Sequence, residues 1–143
     1  MLMFGKALDK QQSKPYPPQA IGDPARFDEY SDISWRDERA RLDNVALALQ
    51  RVPGAIIYLS VYGGRRGCAG EASRRAIRAK AYLVNRRRIQ ERRVLWKDDG
   101  HREKPTVDVW ILPSWGVKPD PAPTVNQSEV QIKNCKCSRA GSK

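Results

Sequence analysis

The chain has no long apolar run, a single histidine and only three cysteines, and each shortage narrows what it can be. A membrane-crossing helix needs about 20 consecutive apolar residues, and no stretch of the 143 residues approaches that. The opening MLMFGKALDKQQSKPYPP has no apolar core followed by a small-residue cleavage site, so it does not read as a secretory signal. Cys68, Cys135 and Cys137 are odd in number and two of them share a Cys-Lys-Cys triplet. This is not a disulfide framework, and it favours a reducing compartment. Zinc accepts cysteine and histidine, but paired ligands in structural sites usually stand about two to four residues apart. Nothing in the sequence gathers Cys68, Cys135, Cys137 and His101, so the reading is free thiols, no metal and no cofactor. His101 lies in the polar stretch 98–103 with no nucleophile or carboxylate pair beside it, which reads as a solvated loop. With no nucleophile, acid–base pair or metal set standing out, the chain reads as non-enzymatic.

Positive charge is what the sequence has in excess. Lys and Arg number 27 against 16 acids, for a net charge of +11. Residues 1–34 carry −1, residues 35–113 carry +9 and residues 114–143 carry +3, and the window 65–97 alone holds +10. Charge of this size speaks to partners and solubility, not to fold. Nucleic acid, an anionic lipid face and an acidic protein face all fit. Arg86, Arg87, Arg88, Arg92 and Arg93 are the densest cluster and the expected docking residues. An RNA-binding platform would need clustered, exposed aromatics in a defined element. Trp96, Trp110 and Tyr58 instead fall on strands, where packing is the reading.

The chain is organised around AIIYLSVYGGRRGCAGEASRRAIRAKAY, residues 55–82. Residues 55–62 read as a buried strand, apolar on both faces. Gly63-Gly64-Arg65-Arg66-Gly67 breaks it, and an alanine-rich basic helix follows over about residues 69–85. A strand, a turn and a helix form half of a β-α-β unit, whose returning strand requires a crossover. Ala72, Ala76, Ala79 and Leu83 share one stripe of this helix, while Arg74 and Arg78 share another face. Upstream, residues 26–30 alternate as an edge strand. Ser34 then caps a first helix with Leu42, Val45, Ala46 and Leu49 inward, ended by Pro53-Gly54. Downstream, residues 93–97 form a third strand, residues 97–104 a polar turn, and Thr106–Leu112 a fourth strand. The order is β-α-β-α-β-β, an α/β two-layer sandwich over residues 26–113. Residues 1–25 and 114–143, proline-bearing and without period, read as extended arms that bind partners and add nothing to the core.

These residues resemble a known family. The stretch FDEYSDISWRDERARLDNVALAL, the helix RRAIRAKAYLVNRRRIQERRV and the strand ending VDVWILP are similar to the OmpA-like C-terminal domain, in a diverged branch with a YGGRRG turn. The likeness covers about residues 26–113 and neither arm. It implies the same β-α-β-α-β-β fold and noncovalent binding of peptidoglycan through diaminopimelate carboxylates. The helix arginine that the resemblance implies for this role maps onto Arg78. The acid that should accompany it maps onto Gly63-Gly64, and Glu71-Ala72-Ser73 replaces the expected Asn and Leu-Ser positions. A centre that would hold a zwitterion with an acid and a base therefore has only bases.

The turn itself reads first as a tight turn with solvated arginines, and beside that as a candidate anion site. Gly63, Gly64, Arg65 and Arg66, with Arg74 and Arg78 on the helix, place amides and guanidiniums where a carboxylate or phosphate would sit. No Gly-Lys-Ser/Thr follows, so it is not a nucleotide loop. The expected function is that of an accessory or scaffolding subunit. It would dock by its basic surface and arms onto the acidic protein surface or anionic lipid face of a larger, membrane-bound assembly, from the cytoplasmic side. A periplasmic peptidoglycan binder whose signal has been removed and an RNA- or ribosome-associated protein are the alternatives.

Overall fold

Hydrophobic periodicity and two turn signals set the frame of the computed structural model, which describes residues 26–135. The elements run β1 (Arg26–Tyr30), α1 (Trp35–Leu49), β2 (Ile56–Gly63), β3 (Arg66–Cys68), α2 (Glu71–Ala81), β4 (Val94–His101), β5 (Thr106–Leu112) and β6 (Gln131–Lys133). Ser34 caps α1 as its position predicts, its hydroxyl accepting from the Asp37 amide at 3.1 Å. The main sheet has the order β1-β5-β2-β4. β2 lies at its centre, antiparallel to β5 and parallel to β4, and α2 forms the crossover between the parallel pair. The α/β two-layer sandwich expected from the sequence is the fold.

Both helices lie on one face of this sheet. Ile57, Leu59 and Val61 of β2 share a single buried cluster with Leu42, Val45, Ala46 and Leu49 of α1 and with Ala72, Ala76, Ala79 and Leu83. The small side chains let α2 approach the sheet closely, and burying the larger ones contributes about 1.5–3 kcal/mol each.

Several boundaries differ from the expectation. The regular helix ends at Ala81, and residues 82–86 make one wider π-type turn closed by Arg87 N–H donating to Tyr82 C=O at 3.2 Å. β4 extends to His101, so most of the expected polar turn is strand. Its polar residues are explained by position: β4 is a sheet edge, where Lys97 and Asp98 meet solvent. Asp99 instead turns inward to Ser60, whose hydroxyl donates to its carboxylate. His101 belongs to the end of this strand, not to a solvated loop.

The segment after Pro113 is the larger departure. Val125 is buried, and the amides of Thr124 and Val125 donate to His101 C=O at 3.0 and 3.2 Å. Ala122 N–H donates to the Tyr62 hydroxyl at 3.0 Å, and Arg102 Nε donates to Ala122 C=O at 3.0 Å. β6 then pairs in parallel with β3, and a disulfide joins Cys68 to Cys135. Residues 122–135 are therefore a strap belonging to the domain, and the free-thiol reading is corrected for Cys68 and Cys135. Cys137 and the arm 1–25 lie outside the described residues. The strap also covers the Tyr62 end of the β2 face that carries no helix. Beneath it, Arg102 makes a two-bond pair with Asp108 (3.2 and 2.9 Å) and stacks 3.7 Å from the Tyr62 ring centre. Tyr58, buried on this same face, has its phenol pushed up to about 12 by burial, then by Asp99 and Tyr62.

Candidate functional site

Close packing accounts for the glycine turn. A Cβ on Gly63 would lie 3.0 Å from the His101 ring, and one on Gly64 would lie 2.9 Å from Pro105. The turn's polar groups are engaged inside the fold. Arg65 N–H donates to Glu103 C=O at 3.2 Å, and the Arg65 side chain meets the Glu103 carboxylate at 3.0 Å and Glu129 at 3.6 Å. Arg74 donates to Ala69 C=O at 2.8 Å, and Arg66 stands exposed on β3. Gly63, Gly64, Arg65, Arg66, Arg74 and Arg78 are not brought together into one anion cradle.

Arg78 belongs to a different cluster. Glu38 of α1 is wholly buried, and Arg78 Nη2 donates to its Oε1 at 2.9 Å. Tyr30 donates to its other oxygen at 2.6 Å, and Arg75 approaches at 3.9 Å while bonding Asp32 at 3.0 Å. Burial and the Glu38 charge push the Tyr30 phenol up strongly. A buried carboxylate needs such a set of partners. Sequence reasoning missed it because an acid in the first helical turn reads as a partner of the helix dipole. The available signal was its spacing: Glu38 precedes Leu42, Val45 and Leu49 on the inward stripe.

The expected docking arginines sit at the far end of α2. Arg86, Arg87, Arg88 and Arg92 are exposed. Arg87 pairs with Asp43 at 3.2 Å, whereas Arg86, Arg88 and Arg92 have no acidic partner among the described residues. Arg93 is separate from them: its Nε donates to Ala55 C=O at 2.8 Å, clamping the start of β2. Arg88 holds φ at 63°, the left-handed region that favours glycine.

A groove of about 290 Å³ opens beside this turn, between α1 and the end of α2. Trp35 forms one wall. Arg78 lies 4.4 Å and Arg39 5.8 Å from its ring centre, and Tyr82 meets it edge-on at 5.6 Å. Tyr82 donates to Asp43 at 2.6 Å, and that bond, with burial and the Asp43 charge, raises its phenol. Ala81 is a small residue of the lining, and Asn85 and Arg86 complete it. Among the described residues no group of three or more metal-ligating side chains converges, and no helix is long and apolar enough to cross a membrane.

Comparison with known proteins returns no match to a family model, to a curated protein or to a solved structure.

Proposed function

We propose that this chain is a non-enzymatic docking domain that binds the anionic surface of a larger assembly through the turn after α2. The observation that carries the reading is that Arg86, Arg88 and Arg92 stand exposed along one short stretch with no acidic partner among the described residues, while Arg26, Arg41, Arg65, Arg75, Arg78 and Arg102 are matched to carboxylates. Arg36, Arg39, Arg51 and Arg66 are also exposed and without an acidic partner there, but are dispersed along the chain. Arg88 supports it further. A non-glycine residue in the left-handed region costs about 1–2 kcal/mol, and strain of this kind concentrates at functional positions. The partner is an acidic protein surface or an anionic lipid face. RNA is the weaker reading, because the aromatic groups near the turn point into a groove and do not form a stacking platform. A cell-wall reading asks Arg78 to meet a ligand carboxylate, and Arg78 already meets Glu38.

The disulfide bears on the compartment. Bonds of this kind persist in oxidising surroundings such as the periplasm or cell exterior, so we place the domain there and not on the cytoplasmic side of a membrane. Co-sedimentation with vesicles of anionic or neutral lipid, and with isolated cell walls, tests the reading. Retention on anionic vesicles or on an acidic protein fraction, lowered by replacing Arg86, Arg88 and Arg92 with Gln, is the expected result. Salt-independent pelleting with cell walls, abolished by Arg78→Ala, would reverse it.

A further inference from the structure

We propose that the arginine-bearing end of the sandwich seats on an anionic lipid bilayer, with Trp115 as the side chain that enters the headgroup region. This rests on the docking reading and chooses between its two partners. The pairing register gathers the pieces. Ile57 of β2 stands beside Val94 of β4, and Ile56 stands opposite Leu112 of β5. The starts of β2 and β4 and the finish of β5 therefore lie at one end. α1 ends at Leu49, shortly before β2 begins, and α2 with its wide turn leads into β4, so both helices finish at that end too. The connections there carry Arg51, Arg86, Arg88 and Arg92, all exposed and without an acidic partner among the described residues. Asp43 and Glu91, close to these connections, are engaged by Arg87 at 3.2 Å and by Lys80 at 3.7 Å.

Trp115 belongs to the same end. It follows Leu112 by three residues, and Lys118 just beyond it lies 5.6 Å from the ring centre of Tyr58, near the start of β2. Gly116 N–H donates to Pro113 C=O at 2.8 Å, which closes a tight turn over residues 113–116. A Cβ on Gly116 would lie 2.9 Å from the Pro113 ring, so close packing fixes the turn's shape. Within it Trp115 stays 75% exposed, and Val117 after it 59%. A firmly closed turn thus holds a large apolar side chain out to solvent. Indole suits the boundary of a bilayer, because it joins an apolar ring to a single N–H donor. Arginines around it suit anionic headgroups, which attract basic side chains near the surface. An acidic protein would answer the arginines alone, and would need a matched apolar pocket for Trp115 and Val117. A bilayer supplies charge and apolar cover in one contact, with no such pocket. One exposed ring is not the run of aromatics on which single-stranded nucleic acid stacks.

The test uses the full chain with its disulfide intact, and vesicles of phosphatidylcholine with or without an equal share of phosphatidylglycerol. The chain should bind the anionic vesicles and leave the neutral ones. Lipid brominated along its acyl chains should quench the tryptophan fluorescence of the bound protein. Trp35, Trp96 and Trp110 are half-buried in the fold, so the quenching reports Trp115. Trp115→Ala should weaken vesicle binding by about tenfold at fixed salt, since it removes most of the apolar burial. It should also abolish the quenching while leaving the melting temperature and the salt dependence of the remaining binding unchanged. Trp115→Phe, which keeps an apolar ring, should retain most of the affinity. The two readings fail differently. Salt-dependent vesicle binding that Trp115→Ala leaves equally tight and equally quenched overturns the lipid anchor and leaves docking standing. So does capture by an acidic protein surface with no retention on anionic vesicles. Equal binding to anionic and neutral vesicles overturns the docking reading and this proposal with it.

Discussion

Reducing the Cys68–Cys135 bond should destabilise the whole domain, not merely free its end. The bond closes a sequence separation of 67 residues that spans α2, β4 and β5. Restricting an unfolded loop of that length contributes about 4 kcal/mol at 25 °C in the chain-entropy account. The full amount reaches the global transition only if the strap unfolds together with the sandwich. Its contacts argue that it does: Val125 is buried, and the amides of residues 122, 124 and 125 bond to Tyr62 and His101 near the ends of β2 and β4. With a urea m-value of about 2 kcal/mol/M, the midpoint should fall by about 2 M on reduction or in Cys68→Ser/Cys135→Ser. Urea melts followed by tryptophan fluorescence and by circular dichroism measure this, and coincident curves show that one unit unfolds. Midpoints that agree within about 0.3 M with and without reductant would refute the reasoning and make the strap an independent flap.

Other outcomes follow from the same geometry. Glu38→Ala should cost about 3–5 kcal/mol, because it leaves Arg78 and Arg75 without their buried counter-charge; thermal melts decide it, and a loss below about 1 kcal/mol would count against the cluster's importance. Alkaline stability should fall from about pH 10 to 12, since the unfolded Tyr58 loses its proton near 10 while the folded phenol holds it to about 12. Below pH 10 both states are protonated and this tyrosine adds no slope, so Tyr58→Phe should flatten the decline only in that alkaline window. Arg88→Gly should raise stability by about 1 kcal/mol by relieving its positive φ while weakening attachment to an anionic surface. A variant that gains stability and binds as well as before would detach the strain from function.

Much of the fold was legible in the sequence, for reasons visible in particular residues. The alanine stripe 72–76–79 and Leu83 specified which face of α2 meets the sheet, and Ser34 specified where α1 begins. β2 read as apolar on both faces, and that was true, but the cover over the Tyr62 end of its second face came from an unsuspected source. A proline-rich segment has no period, so the return of residues 122–135 left no local trace. The pairing of Cys68 with Cys135 depends on that return, which brings together residues 67 apart in sequence. Strand β4 was cut short because Asp98-Asp99-Gly100 looks like a turn, whereas Asp99 faces Ser60 across the sheet. At the site, charge density located the arginines. Only the three-dimensional pairing separated Arg87 and Arg93, held by Asp43 and by the Ala55 carbonyl, from Arg86, Arg88 and Arg92.

The central claim is that three unmatched arginines make an anion-docking face, and the salt dependence of binding tests it most directly. Affinity for anionic vesicles, or for an acidic protein surface, should be measured across ionic strengths near and above physiological, where exposed charges are screened within about 8–10 Å. The account predicts that affinity falls steeply with salt for the natural chain. It also predicts a nearly flat dependence when Arg86, Arg88 and Arg92 are all Gln, with the disulfide intact and the melting temperature unchanged. Equal slopes for the two proteins would contradict it.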